Sequence, residues 1–93
     1  MSEELYKKAI DKWGKETQII VMIEEMAELT QHLCKTNRKT NSRSWQDTVK
    51  EMVDVEIMLE QMKIVFCVND DFFEIEKQRK LKRLKELIEN VIK

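Results

Sequence analysis

Apolar and polar positions alternate along this chain at intervals of three and four, which is the period of an amphipathic helix. Short β-branched runs separated by turn residues, the pattern of strands, do not occur. Helix one is predicted from Glu3 to Trp13, with Ser2 as N-cap, Glu3 and Glu4 in the first turn and Gly14 as a left-handed stop. Helix two follows from Glu16 to Lys35. The polar, aperiodic stretch TNRKTNSR, Thr36 to Arg43, reads as a loop. Ser44 with Asp47 three residues on has the form of a capping box and opens helix three, which runs to about Cys67. Asn69, Asp70 and Asp71 cap helix four, which continues almost to Lys93. The expectation is an all-α, antiparallel helical bundle of about four helices per chain, forming one domain over residues 1–93.

At about 100° per residue the apolar arcs can be drawn. Helix two collects Ile19, Met22, Ile23, Met26, Leu29 and Leu33, and Glu25 and Glu28 lie beside them on a stripe with Val21 and His32. Helix three collects Met52, Val55, Met58, Leu59, Met62, Val65 and Phe66, with Glu51 inside the arc and Asp54 at its edge. Helix four collects Phe73, Leu81, Leu84, Leu87, Ile88 and Val91. Lys77 and Lys80 fall within that arc and Arg83 stands at its margin. One 93-residue bundle can hardly bury all of these sides. The core is therefore expected to be shared between subunits, in a homodimer or a tetramer built from two dimers.

Composition narrows the function classes. One glycine and no proline suit helices, and 17 basic against 18 acidic residues give no polyelectrolyte partner, so neither nucleic acid nor membrane is expected to be bound. No signal-peptide pattern opens the chain, and the longest apolar run, Ile19 to Ile23, is too short to span a bilayer. Cys34 and Cys67 lack CxxC spacing and are expected to be reduced core thiols of a cytoplasmic protein.

The acidic residues of helices two and three stand out by what surrounds them. Helices one and four pair their acids at supportive spacing, as in Glu3 with Lys7 or Glu76 with Arg79. Glu24, Glu25 and Glu51 have no Lys or Arg three or four residues away; Glu28 has only His32, and Asp54 only Lys50. Like charges at this spacing cost roughly 0.2–0.5 kcal/mol per pair, and a carboxylate on a core face needs a cation. Two antiparallel helices would bring Glu25, Glu28, Glu51 and Asp54 into one pocket, an oxygen-only set suited to Mg²⁺ or Mn²⁺. The competing reading leaves some of these acids solvated and pairs others with bases from another helix. Carboxylate-bridged di-iron bundles need Glu-x-x-His repeats and EF-hands need a Gly-containing acidic loop, and neither pattern is present.

Glu-Glu-x-x-Glu at 24–28 and Glu-x-x-Asp at 51–54, with 22 residues between them, resemble the paired motif of the MazG-like all-α nucleoside triphosphate pyrophosphohydrolases. The likeness covers roughly Trp13 to Phe66. The stretch VEIMLEQM after the second motif departs from the Leu-Tyr-His of the phosphoribosyl-ATP branch. The resemblance implies a Mg²⁺-dependent homo-oligomer that cleaves (d)NTP to (d)NMP and pyrophosphate by attack of a metal-activated water on the α-phosphorus, in nucleotide-pool housecleaning. It makes Glu25, Glu28, Glu51 and Asp54 the metal ligands. Glu24 is then a group that supports the ligands from behind, a second-metal ligand or a base, the last a role open also to Glu28. Lys77, Lys80 and Arg83 are candidates for the substrate phosphates, and Trp13 and Gln18 for the base. Lys35, Arg38, Lys39 and Arg43 form a further basic group near the loop. The alternative is a non-catalytic nucleotide-binding or regulatory helical oligomerisation module.

Overall fold

A computed structural model describes residues 2–36 and 45–90. Four helices follow one another, α1 (Ser2–Trp13), α2 (Lys15–Thr36), α3 (Trp45–Val65) and α4 (Asp70–Glu89), with no strand among the described residues. The predicted boundaries are matched within two residues at most ends. Arg38, Lys39, Arg43 and the Ser44 cap lie outside the described residues. Among the described residues, no helix is long and apolar enough to cross a membrane.

The breaks between helices have local causes. Gly14 adopts φ 92°, a left-handed conformation that glycine enters without a Cβ penalty, and its N–H caps the Ile10 carbonyl at 2.8 Å. α3 ends in a Schellman turn: Val68 N–H donates to the Lys63 carbonyl at 2.8 Å and Cys67 N–H to that of Ile64 at 3.1 Å. Cys67 takes the left-handed position, φ 54°, which glycine usually fills. Asn69 then caps α4, its Oδ1 accepting from Asp71 N–H at 2.7 Å.

α2 and α3 form an antiparallel hairpin, and α1 packs on both. The register is readable from three facing pairs: Gln18 with Gln61, Glu25 with Asp54, and Glu28 with Glu51. Moving seven and then three residues up α2 moves seven and then three down α3, the step of a helical hairpin in heptad register. The buried residues are few: Ile10, Met22, Met58 and Val65, with the polar Gln18, His32, Thr48 and Gln61. Gln18 Nε2 donates to Gln61 Oε1 at 2.7 Å, so this polar pair sits in the core with its bond made.

Two expectations need correction. The contact seam of α2 runs through Gln18, Met22 and His32, so Ile23, Met26 and Leu33 of the predicted arc are exposed, as are Met52, Leu59 and Phe66 of α3. The wheel locates apolar residues but not which edge of a broad arc meets the neighbouring helix. Cys34 and Cys67 are likewise exposed free thiols rather than core residues.

α4 buries no residue and, among the described residues, packs on none of the other helices. Its foot is held by the Lys63 ammonium, 4.1 Å above the Phe73 ring. The radius of gyration, 16.8 Å, exceeds the roughly 12 Å of a compact domain of this length.

Candidate metal centre

The two acidic motifs meet because each repeats at i, i+3, one helical turn, on helices that run in opposite directions. Glu25, Glu51 and Asp54 present carboxylate oxygens within 4.8 Å of one another. A second group shares Glu51: an oxygen each from Glu28 and Glu51 and a nitrogen of His32 lie within the same distance. Glu25 and Glu51 are half-buried, Glu28 and Asp54 exposed, and His32 buried. All four predicted ligands are thus gathered, and Glu51 belongs to both groups.

The electrostatics are those of crowded like charges. Glu25 has its acidity pushed above the ordinary carboxylate range, first by desolvation and then by the negative charges of Asp54, Glu51 and Glu28. When protonated it donates a hydrogen bond to Asp54, which adds to the shift. His32 Nε2 lies 3.5 Å from Glu51 Oε1, and both side chains are largely shielded from solvent. Glu28 stands four residues before His32, and this spacing on one helical face is the signal by which His32 could have joined the ligand set from sequence.

The donor chemistry fits a hard divalent cation. An octahedral ion with bonds of about 2.1 Å holds cis ligands roughly 3 Å and trans ligands roughly 4.2 Å apart, so oxygens at the 4.8 Å limit would close by up to about 1.8 Å, within reach of a change of side-chain rotamer. The imidazole in the second group tolerates Mn²⁺ better than Mg²⁺.

A cleft of about 180 Å³, lined by Val21, Glu25, Asp54, Ile57 and Met58, opens at the acids. Ile57 also lines an apolar groove of about 590 Å³ between α1 and α3, bordered by Leu5, Tyr6, Ala9 and Trp13. Ile57 is thus the residue that the two spaces share. Trp13 is exposed at this groove, with the Lys12 ammonium 5.3 Å from its ring. A further groove, about 980 Å³, lies elsewhere, between the start of α1 and the α3–α4 turn, and none of the acidic set lines it.

The remaining predicted residues are not brought to the acids. Glu24 is exposed and joins neither group, although it lies about 40° from Glu28 around α2. Gln18 spends its side chain on Gln61 in the core. Lys77, Lys80 and Arg83 are exposed on α4, away from the acids of their own chain and not on an inward arc as expected. Comparison with protein-family models, curated proteins and solved structures finds no match, so the likeness to MazG-like enzymes stands on the two acidic motifs and their spacing.

Proposed function

We propose that this protein is a Mg²⁺-dependent nucleoside triphosphate pyrophosphohydrolase, cleaving (d)NTP to (d)NMP and pyrophosphate, with Mn²⁺ as a substitute. The observation that carries the reading is the pair of ligand groups sharing Glu51 across the α2–α3 hairpin. Glu25, Glu51 and Asp54 would hold one cation, and Glu28, Glu51 and His32 would border a second position. Mg²⁺, when bound, neutralises phosphate oxygens and acidifies water, the two requirements for hydrolysing a polyanion.

The chain's own residues do the rest. Glu28, or Glu24 beside it, accepts the proton of the attacking water at a carboxylate oxygen. The apolar groove at Trp13 takes the base, its ring offering a stacking face next to the acidic cleft. Gln18 has no such part, because its amide is committed to Gln61. The molecule works as a homodimer or dimer of dimers with a shared core, in the cytoplasm, and serves nucleotide-pool housecleaning. Lys77, Lys80 and Arg83 then meet the β- and γ-phosphates from a neighbouring copy's α4.

A panel of NTPs and dNTPs with Mg²⁺ or Mn²⁺, scored for pyrophosphate against orthophosphate, tests the reading. Pyrophosphate is expected, and Glu51→Gln is expected to lower turnover by about 10³-fold with helicity intact. Nucleotide binding without turnover on every substrate would favour the regulatory module, and orthophosphate alone would move the cleavage site.

A further inference from the structure

Gln61 carries a polar atom that the fold leaves unused. It is 5 % exposed on α3, and Gln18 of α2, 4 % exposed, donates from Nε2 to its Oε1 at 2.7 Å. That bond fixes the amide: its oxygen is turned to α2, so its nitrogen points away. Gln61 Nε2 makes no hydrogen bond among the described residues, yet none of their buried side-chain polar atoms lacks a partner. The nitrogen is therefore not sealed in the core. It opens where Gln61 lines a surface, the groove of about 590 Å³ between α1 and α3. A donor held in one orientation in a mostly apolar site selects for an acceptor in whatever binds there.

The other polar side chains of the groove point to the same chemistry. Lys8 and Lys12 bring ammonium donors to it, Ser2 and Tyr6 bring hydroxyls, and among the described residues no carboxylate lines it. A carbonyl oxygen is met there by N–H groups, whereas an amino group faces donors of its own kind. The position suits a nucleoside as well. Asp54, Ile57 and Gln61 stand at i, i+3 and i+7 on one stripe of α3, which puts Gln61 about 10 Å along the helix axis from Asp54. A nucleoside anchored by its α-phosphate at the acidic cleft covers that distance to the far edge of its base. Trp13 offers its ring in the same groove.

We propose that Gln61 determines base specificity: its Nε2 donates to a carbonyl oxygen at the base edge far from the sugar, and Gln18 is the residue that positions it. The groove then takes bases with an oxo group at that edge, uracil or hypoxanthine, over those with an amino group there, cytosine or adenine. This deepens the reading of the groove as the base site and rests on it.

The test uses two pairs of triphosphates that match in shape and differ at that edge, UTP with CTP and ITP with ATP. Affinity is read by calorimetry with their α,β-methylene analogues and Mg²⁺, and kcat/KM by pyrophosphate release from the triphosphates themselves. In both, the oxo member of each pair is expected to be favoured at least about tenfold. Gln61→Glu keeps an acceptor for Gln18 Nε2 and turns the free atom into a second acceptor, so the preference is expected to invert. Gln18→Leu with Gln61→Leu replaces the pair by apolar filling and is expected to bring both ratios close to one, with helicity unchanged. A role in packing alone would scale all four nucleotides together and leave the ratios where they were. Equal affinity within each pair, an amino preference in wild type, or a Gln61→Glu variant that keeps the wild-type order overturns the assignment. An oxo preference in binding without pyrophosphate from any triphosphate upholds Gln61 and overturns the catalytic reading. Failure of all four analogues to bind overturns both.

Discussion

Replacing Glu25 by Gln should stabilise the metal-free protein, and the reasoning rests on the crowding around that side chain. Its neighbours Asp54 and Glu51 have oxygens within 4.8 Å. At that separation Coulomb repulsion is about 1 kcal/mol per neighbour under full aqueous screening and about 3.5 kcal/mol at an effective dielectric of 20. Glu25 is half-buried, so the net gain on neutralising it is about 1–3 kcal/mol, or several degrees in melting temperature for a domain of this size. The pH dependence follows with a definite sign. A carboxyl held above its ordinary value of 4.5 binds more protons folded than unfolded, so stability falls as pH rises from that value through the raised one. The loss is absent below the window and complete above it. The assay is thermal or urea denaturation in chelator and in millimolar Mg²⁺ or Mn²⁺, from acid to neutral pH. In chelator, Glu25→Gln should melt above wild type near neutrality and converge with it in acid. In metal, wild type should gain stability and Glu25→Gln much less, because a ligand that binds only the folded state raises its stability by mass action. A wild type indifferent to both cations, or a Glu25→Gln that is weaker than wild type in chelator, would refute the argument.

Two further perturbations probe the frame that holds the site. Gln18→Leu strands the buried Gln61 amide and should cost about 1–3 kcal/mol, whereas Gln18→Leu with Gln61→Leu should recover most of it; a double-mutant cycle by urea melts reads the coupling. Cys67→Gly should raise stability by about 1 kcal/mol, because the Schellman position at φ 54° strains every residue with a Cβ; an unchanged or lowered melting temperature would count against that account.

How much of this was legible in the chain can be seen residue by residue. Helix number, helix type and the sites of the turns follow from short-range causes: the three-and-four spacing, Gly14 as a left-handed stop and Asn69 as a cap. The acidic set was legible too, because Glu25, Glu28, Glu51 and Asp54 lack helical-range cations and their i, i+3 spacing matches on two helices that a hairpin must place antiparallel.

The tertiary structure alone decided which edge of each broad apolar arc meets its neighbour. The α2–α3 seam runs through Gln18, Met22, Met58 and Gln61 and leaves Met26 and Leu59 outside. Rotation about a helix axis is set by the partner's shape and by satisfying buried polar groups, neither of which a single helix encodes. The same rotation drew His32 into contact with Glu51 and made that glutamate common to both ligand groups. Likewise, amphipathicity marks α4 as having a face to bury, but only packing shows that, among the described residues, no other helix packs along it. Local spacing thus determined the elements and the candidate ligands, while three-dimensional packing determined their orientation, because side-chain period is a property of one helix and contact a property of two.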